Sequence, residues 1–207
     1  DSKKELDPNF LDKIKNKKIW CAASTHPTEE ILCTNVHLKI KKNHKNVFTI
    51  IIPRHIDRVK KINEELLKLN INVVLSSELS DVNDNTDILL VNSYGEATKF
   101  YNISKYAFLG KSLVESLIKD SGQNPIEPAR LGCKILHGPH VSNFIEIYDH
   151  LKKLEITRQI NSSNELSLLL VEEFKNDKPK NQEIASKIEN YGENILNNVI
   201  AELKKYI

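Results

Sequence analysis

Apolar residues fall in short bursts along the chain: IWCAA (19–23), VFTIII (47–52), NVVL (72–75), ILLV (88–91), YAFL (106–109) and CKIL (133–136). Such bursts, rich in β-branched side chains and lacking polar alternation, predict strands covered on both faces, as in a parallel sheet. Between them the apolar spacing lengthens to three and four. In EEILCTNVHLKIKK (29–42), Ile31, Leu32, Val36 and Ile40 share one stripe, and in DRVKKINEELLKL (57–69) Val59, Ile62, Leu66 and Leu69 do the same, so both segments read as amphipathic helices. Strands and helices alternating at this interval predict βαβ units, and hence an α/β fold: a Rossmann-like three-layer α/β/α arrangement on a parallel sheet. Residues 1–18, with Pro8 and a lysine run, read as a linker or amphipathic lead-in, and residues 19–178 as the body. In 179–207, Ile184, Ile188, Tyr191, Ile195, Val199 and Leu203 recur at helical spacing and predict a C-terminal helix packed on the domain.

Sheets of this kind bind ligands beyond the carboxyl ends of their strands, so the segments that follow each burst carry the candidate chemistry. They are STHPTEE (24–30), PRHIDR (53–58), NSYGEATKFY (92–101), GKSL (110–113) leading into SGQNPIEPA (121–129), and HGPHVSNF (137–144), all rich in Gly, Pro, His and Asn. In SGQNPIEPA, Asn124 suits a helix cap, Pro125 the first helical position and Glu127 the third, while Pro128 removes only the first intrahelical bond. A helix begun this way offers the N–H groups of Ile126 and Glu127 and its positive end to an anion. Glu127 has two readings: a capping box folded back on Asn124, or a carboxylate gripping the hydroxyls of a ribose. Arg54, delivered behind Pro53 and followed by His55, suits a phosphate or carboxylate, or else a local pair with Asp57. Gly95 permits close backbone approach to a flat ring, and Glu96 either joins that contact or complements a helix start.

Charge and composition narrow the classes. Lys+Arg of 30 against Asp+Glu of 28 gives a net charge of +2, which argues against nucleic acid as a partner. The lysine runs KIKNKK (13–18) and KIKKNHK (39–45) fit a solvated face or contact with an anionic membrane surface. Cys21, Cys33 and Cys133 are odd in number and lie in apolar contexts, predicting reduced, buried thiols in a cytosolic compartment. No apolar run approaches the ~20 residues that span a bilayer, and no signal peptide opens the chain, so this piece is expected to be soluble. It begins at Asp1 and contains no methionine, and therefore reads as a fragment with residues missing upstream. His26, His55, His137 and His140 share the ligand edge, yet no HExxH, CxxC or DxD-like spacing accompanies them, so no metal is expected. Ser24 and His26 lack a GxSxG elbow, and glycine-rich dinucleotide and P-loop fingerprints are absent.

Taken together, "AASTHPTEE" (22–30), "IIPRHIDR" (51–58), "YGEATKFY" (94–101), "FLGKSLVE" (108–115), "GQNPIEPARLG" (122–132) and "GPHVSNF" (138–144) resemble the C-terminal domain of the 3-deoxy-D-manno-octulosonic acid (Kdo) transferases, which add Kdo to the lipid A precursor in Gram-negative bacteria. The resemblance spans about 120 residues in the family's order. It implies one half of a GT-B glycosyltransferase, the half that holds CMP-Kdo. The acceptor half, the membrane anchor and the catalytic carboxylate would lie upstream, so no catalytic residue is expected in this chain, and the whole protein would work at the cytoplasmic face of the inner membrane. Carried over, Arg54 and the Asn124 helix start would hold the CMP phosphate, with His55 and Ser112 also among the nucleotide-binding residues. Glu127 would take the ribose and Gly95 with Glu96 the cytosine side, while Ser24, Thr25, His26 and Glu29 would line the first loop. Departures from the family's usual pattern stand at Thr28, Lys111, Ser121 and Gln123, and Lys111 would add positive charge near the phosphate. A single-phosphate donor fits the missing metal motif, because a helix terminus and an arginine can stabilise a monophosphate leaving group. The competing readings are another GT-B enzyme using a UDP-sugar, whether transferase or epimerase, and a non-catalytic sugar-nucleotide sensor.

Overall fold

Seven parallel strands form one sheet in the computed structural model, which describes residues 5–117, 119, 121–176 and 182–204. The strands are β1 (Lys18–Thr25), β2 (Val47–Pro53), β3 (Val73–Leu75), β4 (Ile88–Leu90), β5 (Tyr106–Leu109), β6 (Lys134–His137) and β7 (Thr157–Gln159), in the spatial order β3-β4-β2-β1-β5-β6-β7. Six coincide with the apolar bursts. β7 has no such run: as the edge strand it pairs only with β6, burying Thr157 and exposing Arg158 and Gln159. The helices are α1 (Pro8–Ile14), α2 (Glu29–Lys41), α3 (Val59–Leu67), α4 (Ala97–Ile103), α5 (Ile126–Arg130), α6 (Ile145–Lys153), α7 (Ser163–Lys175) and α8 (Gln182–Leu203).

Alternate residues of each strand feed two cores, as a sheet covered on both faces requires. On β1, Cys21 and Ala23 face one side and Trp20 and Ala22 the other. The first core is closed by Phe10 and Ile14 of α1, Phe100 and Tyr101 of α4, Tyr148 and Leu151 of α6, and Ile184 and Ile188 of α8. The second is closed by Cys33, Val36 and Ile40 of α2, Val59, Ile62 and Leu66 of α3, and Leu166, Leu170 and Phe174 of α7. The polar lead-in thus contains a helix, capped by Asp7 accepting from the Asn9 N–H at 2.7 Å, in which Phe10 and Ile14 are core and Leu11 is exposed. On α8 the apolar stripe divides: Ile184 and Ile188 are buried, Tyr191 stacks on His150, Leu203 is exposed, and the side chains of Ile195 and Val199 lie outside the described residues. All three cysteines are buried free thiols.

One buried polar row belongs to the amino ends of the strands. His37 Nδ1 meets Thr49 Oγ1 at 2.8 Å and Nε2 meets Asp87 Oδ1 at 3.3 Å, while Asp87 also pairs with Lys41 and accepts from the Asn72 N–H. Burial pushes the Asp87 carboxyl up, but these hydrogen bonds outweigh it and hold the group at about 2. The row is interior, remote from the carboxyl edge, and ties α2 to β2 and β4.

The chain runs outward from β1 through β2 to the β3–β4 edge, then crosses back to place β5 on the other side of β1. Loops leaving β1 and β5 therefore diverge to opposite faces, which makes that point the crevice of the sheet.

Candidate functional site at the carboxyl edge of the sheet

Around the crevice the strand-end loops hold one another through backbone groups. Glu29, at the first turn of α2, is fully buried, and its Oε2 accepts from the N–H groups of His26 (3.0 Å) and Lys111 (2.8 Å). Burial raises its carboxyl, opposed by those bonds and one from the Ser112 N–H. Gly110 completes the joint: a Cβ there would meet Ser24 O at 2.5 Å and Glu29 Oε2 at 2.7 Å. Ser112 is buried too, donating to Leu109 O and accepting from the Gly138 N–H at 2.9 Å, and Ser112 O accepts from the His140 N–H. Ser121 and Ser142 form a reciprocal clasp, each N–H on the other's hydroxyl, and Tyr148 donates to Gln123 O at 2.9 Å.

The expected site residues accordingly divide. Thr25, Glu29 and Ser112 are buried in the framework, with Thr25 donating to Glu30. Loop amides turned away from solvent need internal acceptors, and Glu29 and Ser112 supply them. Arg54, His55, Ser24, Gly95 and Glu96 do converge, lining one cavity of about 320 Å³ with Pro53, Ser93, Tyr94 and Ala97.

Within that cavity Arg54 is exposed, its N–H bonded to Thr25 O at 2.9 Å and its guanidinium without a partner among the described residues. The alternative pair with Asp57 is not formed. Arg58, one turn on, is committed to Glu30 by a bidentate pair at 2.9 and 3.0 Å. Gly95 has φ +76, where a side chain would be strained, and an added Cβ there would meet open space. Glu96 pairs with Lys99. The 92–96 loop is braced by Asn92, which exchanges four hydrogen bonds with Ser76 and Ser77 beyond β3. Sequence reasoning missed Asn92, although it directly follows the ILLV burst, and also Tyr94, which is 67% exposed at the cavity mouth.

Asn124 Oδ1 accepts from the Ile126 N–H at 3.0 Å, a turn that leads into α5, but the helix starts at Ile126 with Pro125 in the cap position, one residue later than expected. That bond occupies one of the two N–H groups expected to face an anion, and α5 is only 5 residues long. Glu127 makes no capping box among the described residues; its Oε1 accepts from Thr98 Oγ at 2.7 Å. Neither Asn124 nor Glu127 lines the 320 Å³ cavity, but Thr98 follows Ala97 of its wall, so Glu127 stands one residue behind it.

His26 sits edge-on to His55 with ring centroids 5.8 Å apart. Burial, then the positive charges of Lys111, His55, Arg58 and Arg54, lower its pKa from 6.5 to about 4. The loop is therefore ringed by cations. The folded chain resists protonation of His26, whereas the unfolded chain accepts the proton near 6.5. Its stabilising contribution is full above pH 6.5 and drains away as pH falls toward 4. We expect a plot of Tm against pH over that window to be shallower for His26→Gln than for the unaltered chain; parallel curves would refute the assignment.

No protein-family model matches the chain. It is 30% identical over 171 residues to a 3-deoxy-D-manno-octulosonic acid transferase of Haemophilus influenzae, covering 83% of this chain and 39% of the relative. It is 29% identical over 183 residues to the enzyme of that name from Rickettsia bellii, covering 88% of this chain and 41% of the relative. The chain thus spans about two fifths of the length of these curated relatives. Among solved structures, the C-terminal CMP-Kdo binding domain of WaaA from Acinetobacter baumannii superposes with a TM-score of 0.77 at 21% identity, covering 88% of this chain and 93% of that one. The fold is accordingly the expected one, a Rossmann-like three-layer α/β/α arrangement on a parallel sheet.

Proposed function

Over the part of them that it spans, this chain is a homologue of the Kdo transferases, and from that premise we propose that it is the donor-binding half of a glycosyltransferase that moves Kdo from CMP-Kdo to a lipid A precursor. The observation that carries the reading is the convergence of Arg54, His55, Gly95 and Glu96 on one cavity at the carboxyl edge of the sheet, with the Arg54 guanidinium uncommitted. An unpaired arginine at a strand end, in a loop ringed by further positive charge, suits an anionic group that arrives with its own hydrogen-bond acceptors. The open space over Gly95 suits a planar base laid against backbone. Glu127, already accepting one hydroxyl from Thr98, has a second oxygen for a ribose hydroxyl. In this reading the acceptor site, the general base and the contact with the cytoplasmic face of the inner membrane belong to the remainder of such a protein.

Calorimetric titration of the chain with CMP, UMP and AMP tests the proposal. CMP is expected to bind most tightly, with the Glu127→Ala chain folded and weaker for CMP. Indifference to all three nucleotides would end the proposal, and a preference for uridine nucleotides would replace it with a UDP-sugar enzyme.

A further inference from the structure

Resting on that reading of the donor site, we propose that Lys111 recognises the sugar half of the donor: its ammonium takes the carboxylate of the ulosonic acid, while Arg54 takes the phosphate. Lys111 is the second residue after β5, behind Gly110, at the crevice where the loops of β1 and β5 part. Its backbone has φ +54, the left-handed region that a residue with a Cβ enters at a cost. It is pinned there from both sides, since its N–H is held by Glu29 at 2.8 Å and its carbonyl accepts from the Gly122 N–H at 2.7 Å. The neighbouring Gly110 packs against Ser24, a wall residue of the cavity. Lys111 itself does not line the cavity, but its strained backbone stands one residue from a glycine packed on that wall.

Other cations near the site are committed. Arg58 is locked to Glu30 and Lys99 to Glu96. The Lys111 ammonium has no hydrogen-bond or ion-pair partner among the described residues, and the side chain is half-buried. Both Lys111 and Arg54 lie near enough to His26 for their charges to lower its pKa. A nucleoside monophosphate ester of a 2-ulosonic acid carries its phosphate and its carboxylate on the same anomeric carbon. Two closely spaced anions are then met by two uncommitted cations, and plain CMP offers only one of them.

The test compares CMP with freshly prepared CMP-Kdo on the unaltered chain and on Lys111→Gly and Lys111→Met. The unaltered chain is expected to bind CMP-Kdo more tightly than CMP. Both variants should hold CMP within twofold and lose about tenfold in affinity for CMP-Kdo, as for one charge-assisted contact. Lys111→Gly, relieved of the strained φ, should melt no lower than the unaltered chain, which separates lost recognition from lost folding. Equal losses for both ligands would make Lys111 a phosphate ligand and overturn the proposal, as would unchanged affinity for both. If the unaltered chain binds neither ligand, the donor-site reading itself falls, and this inference with it.

Discussion

Gly138→Ala is expected to destabilise the chain by about 3 kcal/mol, the upper range for forcing an extra carbon into a packed interior. A Cβ at this position would lie 2.0 Å from Ser112 O and 2.4 Å from the Cα of Leu113. Both are backbone atoms, so no side-chain rotation relieves the clash. The backbone would have to part where the Gly138 N–H meets Ser112 Oγ and the His140 N–H meets Ser112 O, dismantling the joint between the loops after β5 and β6. Urea denaturation measures the effect. Gly192→Ala is the control: it lies in α8, where an added Cβ meets nothing within 4 Å, and replacing a helical glycine should stabilise by roughly 0.5–1 kcal/mol. A Gly138→Ala chain as stable as its parent would show that the strand-end loops are not interlocked as described.

Arg54→Ala is expected to leave stability almost unchanged and to weaken CMP binding by ~10–150-fold, the equivalent of one charge-assisted interaction of about 1.5–3 kcal/mol. The side chain is exposed and uncommitted, and the one bond that fixes the residue, from its N–H to Thr25 O, survives the substitution. Arg54→Lys should fall between the two, because an ammonium keeps the charge but not the planar pair of donors. Unfolding curves and CMP titrations on the same preparations separate the effects. A loss of stability without a loss of affinity would place Arg54 in the framework and remove the phosphate site from this cavity.

Six of the seven strands, the parallel sheet and the loops that follow its strands were legible in the residues alone. The reason is physical: strands covered on both faces must be continuously apolar, and ligand loops at their ends must be polar and rich in Gly, Pro and Asn. β7 was not legible, because an edge strand that buries one residue in three needs no apolar run. The turn at Asn124 was readable, though not the exact cap position, because its acceptor and donor lie two residues apart. Glu127 was not, since the local rule offered Asn124 as partner whereas the fold supplied Thr98, 29 residues away. The same holds for the first loop: nothing in STHPTEE distinguishes a glutamate that faces a ligand from one that turns inward to collect the amides of His26, Lys111 and Ser112. The chain by itself determined which segments meet at the ligand edge. Which side chains were left free there was decided only in three dimensions, because each loop's buried N–H groups had to find acceptors on other loops, and only residues spared that task, Arg54 and Lys111 among them, remain open to a ligand.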